Sequence, residues 1–236
     1  MVKKFFKIIL VVFIVLVVAA GSLAVWQWKN IESIVVGIKE TDTEIERRRN
    51  DNQTQLVAEV NSQLESPLRE MTDEEKKKVE EGNMTIVDVY SKIFEEKQSE
   101  IVSSKVSSSK GDTSNKNEDK PTKDEIITKY MAQLYKLQNE FTSRAEATIS
   151  QGASYYESIK AHPQDATARA NTITHFTPIV RGIEAECNGK VDTVIANLKK
   201  ELEEIGAQTD IIGTIRATYE NEKQLKLSYY ANKYLK

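Results

Sequence analysis

The chain has 236 residues, 39% hydrophobic and 29% charged, with nine Gly, four Pro and one Cys. Few glycines and prolines among many Glu, Lys, Ala and Ile favour long helices over sheets and turns. A net charge of −3 argues against a nucleic-acid partner, whose phosphates need a basic face, and the lone Cys187 excludes an internal disulfide or a multi-cysteine metal site.

Lys3, Lys4 and Lys7 precede Ile8–Trp26, nineteen residues without a charge. As a helix they would span about 28 Å, close to the hydrocarbon thickness of a bilayer. Phe5 and Phe6 lie before the run and Trp26 and Trp28 at its far end, where amphipathic rings suit the two interfaces. Lys7 and Lys29 can extend their ammonium groups toward water. Lys7, Trp26, Trp28 and Lys29 are therefore the candidate membrane-interface residues. The N-terminal lysines hold residues 1–7 in the cytoplasm, so residues 8–28 read as a single-pass signal anchor with the bulk of the chain extracytoplasmic. The competing reading is a cleaved signal peptide followed by a secreted helical protein. Val18-Ala19-Ala20 and Ser22-Leu23-Ala24 put small residues where a peptidase would cut, but the run is longer than a usual signal core.

Setting aside Lys3, Lys4, Lys7 and Lys29 leaves 29 basic against 36 acidic residues, a balance of −7. Residues 29–106 read as a juxtamembrane helical stalk. Ile31, Ile34, Val35, Ile38 and Ile45 recur at helical steps, the stripe fails across ETDTEIERRRNDNQTQ, and it resumes weakly at Val57, Val60, Leu64, Leu68 and Met71. Acidic residues just before Arg47-Arg48-Arg49 make pairing along a solvated helix the expected role of those arginines. Ser66-Pro67 breaks the helix. Thr72 to Glu75 spells a capping box, Gly82 a left-handed terminator, and Thr85 the start of a helix with Ile86, Val89, Tyr90, Ile93 and Phe94 on one face. Residues 107–122 lack large apolar side chains and predict a disordered linker.

The strongest pattern lies over 123–236. Ile127, Met131, Leu134, Leu137, Phe141, Ala145, Ile149, Gly152, Tyr156 and Ile159 form one stripe, which breaks at Ala161-His162-Pro163. A second runs Ala166, Ala170, Ile173, Thr177, Val180, Ile183, Cys187, Val191, Val194, Leu198, Leu202 and Ile205, with a kink expected at Pro178. Gly206 ends it, and Thr209 or Asp210 caps a third helix carrying Ile211, Ile212, Ile215, Tyr219 and Leu225. The prediction is all-α: an elongated antiparallel three-helix bundle, coiled-coil-like, outside the membrane.

No residues are assigned to catalysis, to a cofactor or to a metal. His162 and His175 lack the spacing of a zinc helix, and Glu184 and Glu186 beside Cys187 disfavour a thiolate. The C-terminal segment LKLSYYANKYLK concentrates Tyr229, Tyr230, Tyr234, Lys226 and Lys233, a candidate interaction surface for a protein or polymer. The sequence thus predicts a non-catalytic scaffold or interaction module at a bacterial cell envelope, capable of homo-oligomerisation. A sensory ectodomain and a carboxylate-dependent envelope enzyme are the alternatives.

Overall fold

A computed structural model describes residues 39–108, 120–162 and 165–235. Among them the chain forms six α-helices and no strand: α1 Asp42–Gln63, α2 Asp73–Glu80, α3 Ile86–Ser108, α4 Lys123–Ile159, α5 Ala166–Glu204 and α6 Ile211–Leu235. No described helix is long and apolar enough to cross a membrane. The apolar run 8–28, with Lys7, Trp26, Trp28 and Lys29, lies outside the described residues, as does most of the expected linker. Ser107 and Ser108 continue α3, and Thr122 caps the next helix.

The helix ends follow local chemistry. Thr72 accepts from the Glu75 N–H while the Glu75 carboxylate takes the Thr72 N–H, closing the box that starts α2. Gly82, at φ +70°, lets Asn83 and itself bond back to the carbonyls of Lys78 and Val79. Thr85 with Asp88, and Thr122 with Glu125, make the same reciprocal pair ahead of α3 and α4. At the Pro67 break every backbone donor is placed. Leu64 N–H goes to Asn61 O, Glu65 and Ser66 N–H each to one Asp124 oxygen at 2.9 Å, and Leu68 N–H to the Asn61 side chain. Helix α5 runs through Pro178 without a break.

The described helices gather into two compact units. One holds residues up to Asn52, Phe141–Glu186 and the chain from Thr218; the other holds Gln53–Glu140 and Cys187–Ala217. Helix α1 contributes residues to both units. Its inner face runs Ile45, Arg49, Gln53, Leu56 and Val60, all buried, at steps of three and four that keep one side inward. Two members are polar, which is why an apolar stripe vanishes from the sequence there.

In the second unit, α3 buries Val89, Ile93 and Phe94, and the Phe94 ring meets Tyr135 in a stretch of α4 buried almost all round, with Ile126, Ile127 and Met131 also enclosed. In the first, the early part of α5 buries Ala168, Thr172 and Phe176, whereas Ala166 and Ala170 are exposed. Alanines carry too little apolar area to set the facing of a helix. Phe176 sets it, with its ring against Gly152, where even an added Cβ would sit 3.8 Å away. Further along α5 the expected stripe holds at Val191, Leu198 and Leu202, but Ile195 is buried where Val194 was expected, and Val194 is half-buried.

Candidate functional site

The first unit contains a buried charged layer. Arg49, only 5% exposed, extends from α1 toward α6. Its Nε and Nη2 donate to Glu222 Oε1 at 3.0 and 2.8 Å, and its Nη1 donates to Glu46 at 2.8 Å. Burial works against the charge, yet Glu222 and Glu46 outweigh it and hold the guanidinium above its ordinary pKa. Lys226 follows Glu222 by one turn of α6. Burial pushes its ammonium below the ordinary lysine value and nearby Arg49 adds to the shift, while Glu222, Glu146 and Glu46 oppose it. Along the same α1–α6 seam, Asn52 Nδ2 donates to the Thr218 carbonyl at 3.2 Å and the Asn232 amide to the Glu40 carbonyl. Such directional contacts fix the register of two helices; burying two cations among carboxylates adds little net stability.

The second unit has its own polar points. Gln53 accepts from the Tyr135 hydroxyl at 3.1 Å, and the Tyr135 ring stacks on Phe94 at 5.5 Å. Arg69 grips Glu75 with two nitrogens at 2.8 and 2.9 Å, with Lys92 at 3.3 Å. That Arg69 pairing draws the Glu75 carboxyl down to about 2, against a smaller opposing push from burial. Lys129 and Tyr130 of α4 both donate to Glu201 of α5. Burial, and the hydrogen bond to Glu201 after it, raises the Tyr130 phenol above its usual range.

Of the C-terminal candidates, Tyr229 and Tyr230 are half-buried and meet edge to face at 5.5 Å. Lys226 is half-buried in the charged layer, turned into the unit more than the sequence suggested. The side chains of Lys233 and Tyr234 lie outside the described residues. His162 is exposed in the turn after α4. His175 stacks on Tyr155 at 4.9 Å beside Phe176. Cys187 is half-buried. No group of three or more His, Cys, Asp or Glu among the described residues is placed to hold a metal. Sequence reasoning missed Arg49, Gln53 and Glu222 as inward-facing; their spacing from Ile45 and Ile215 was the available signal.

These clusters are ion pairs and hydrogen bonds between helices, and they present no nucleophile with a base. No family model matches the chain, and no curated protein or solved structure is significantly similar to it.

Proposed function

We propose that the chain is a single-pass membrane protein whose extracytoplasmic helical region serves as a scaffold or interaction module at the bacterial cell envelope, without catalysis. The observation that carries this reading is the uncharged run Ile8–Trp26 between Lys7 and Lys29, long enough to span a bilayer and flanked by interfacial aromatics. The all-helical described region and its register-fixing polar contacts support a role in holding shape and presenting surface. Tyr229 and Tyr230, partly exposed near the chain's end, with Tyr234, Lys226 and Lys233 in the same segment, are the proposed contact for an envelope protein or polymer. The membrane is itself a partner.

The test is extraction and protease treatment of cells producing the full chain. Alkaline carbonate should leave it in the membrane pellet, with an intact N-terminus by mass spectrometry and digestion only by protease added outside the cytoplasmic membrane. A mature N-terminus at Gly21 or Val25 would replace the anchor with the secreted reading.

A further inference from the structure

Resting on the anchored reading, we infer that the α4–α5 hairpin of the first unit lies against the lipid surface, with Ile159, Tyr155, His175 and Ile179 facing the bilayer. Ile159 and Ile179, 37% and 41% exposed, are two of the three large hydrophobic side chains exposed among the described residues. Each stands one helical turn from a member of the Tyr155–His175 stack, so they flank it on the antiparallel pair. Aromatic rings with a polar tip beside aliphatic groups suit the headgroup boundary.

The charge pattern favours lipid over an acidic or mixed protein surface. On α5, residues 166–183 contain Arg169 and Arg181 and no carboxylate, in a chain with 36 acidic residues; on α4 the exposed Glu157, between Tyr155 and Ile159, is neutralised by its pair with Lys160. Five hydroxyls of this hairpin are satisfied internally. Thr172, Thr174 and Thr177 return theirs to the carbonyls of Ala168, Ala170 and Ile173 at 2.8, 2.9 and 2.8 Å, and Ser154 and Ser158 do the same on α4. Polar groups already bonded within the helix cost little on leaving water.

Geometry brings this hairpin to the anchor. Glu184 of α5 pairs with Lys223 of α6 at 3.7 Å. Moving nine residues along each antiparallel helix sets Asn232 level with His175, and Asn232 bonds the Glu40 carbonyl. The first described residues therefore lie level with the Tyr155–His175 stack. Ten Cα steps separate Lys29 from Lys39, a reach of at most about 36 Å, so a bilayer-borne Lys29 keeps this end of the unit near the lipid.

The test uses the full chain with Cys187→Ser, carrying a fluorophore on Ile179→Cys or, as the reference on the same helix, on exposed Ala185→Cys. Each is reconstituted into vesicles of phosphatidylcholine and phosphatidylglycerol with brominated acyl chains, and vesicle association is read by flotation. Quenching at position 179 should exceed that at 185 by about twofold or more, as expected for a site reaching the acyl boundary. Equal, weak quenching in a chain that floats overturns the hairpin inference and leaves the anchor standing, pointing to a protein as the occupant of that face. A chain that fails to float overturns both.

Discussion

Arg49 shows how a single buried residue can carry the register of two helices. Removing it leaves Glu222, 6% exposed, without its main partner, so Arg49→Ala should cost roughly 3–5 kcal/mol in urea unfolding. Arg49→Met combined with Glu222→Leu should recover most of that loss, since apolar groups of similar volume remove the stranded charge. Glu75 adds a pH dependence. Its pKa falls from 4.5 to about 2 on folding, so it stabilises the fold fully above its unfolded value, and that contribution disappears as pH falls toward 2. At neutral pH the shift corresponds to roughly 3 kcal/mol. Glu75→Gln should flatten the acid limb of a stability–pH curve between about pH 5 and 2. Neither role was legible from composition. A polar residue at a buried step looks the same in sequence as one on a solvated face, and only the partner brought against it tells them apart.

At the level of single helices, the punctuation was largely legible. The Thr72–Glu75 box, Gly82, Thr85 and Gly206 all act where their chemistry placed them, because caps depend on residues within one turn of each other. The Thr122–Glu125 box escaped notice only because it borders a polar stretch that reads as linker. Thr122→Ala should destabilise the fold by about 1 kcal/mol, the usual worth of such a cap, measurable as a shift in denaturant midpoint without a change in slope. Gly206→Ala tests conformation in isolation. Gly206 sits at φ +71° with open space around its missing Cβ, so a loss of about 1 kcal/mol would come from the left-handed backbone alone. The facing of α5 before Pro178 is the contrary case. Its alanines and threonines gave no strong moment, and the aromatic contact of Phe176 with Gly152 decided it.

On the scale of the whole molecule, α1 changes what counts as a folding unit. It supplies Ile45, Leu56 and Val60, all buried, together with the Arg49 and Gln53 contacts to α6 and α4. A fragment of residues 123–236 lacks these and should melt broadly or at a markedly lower temperature than residues 39–236, whose thermal transition by circular dichroism should be cooperative. A sharp transition of equal midpoint in the shorter piece would show that α1 is dispensable. The sequence by itself determined the helical class, the positions of the breaks and the caps, since each depends on residues near one another along the chain. Only the tertiary structure decided that α1 belongs to the core and that Arg49, Gln53 and Glu222 face inward. A buried polar group needs a partner, and for Arg49 and Gln53 that partner lies 173 and 82 residues along the chain, so the pairing is a property of tertiary packing.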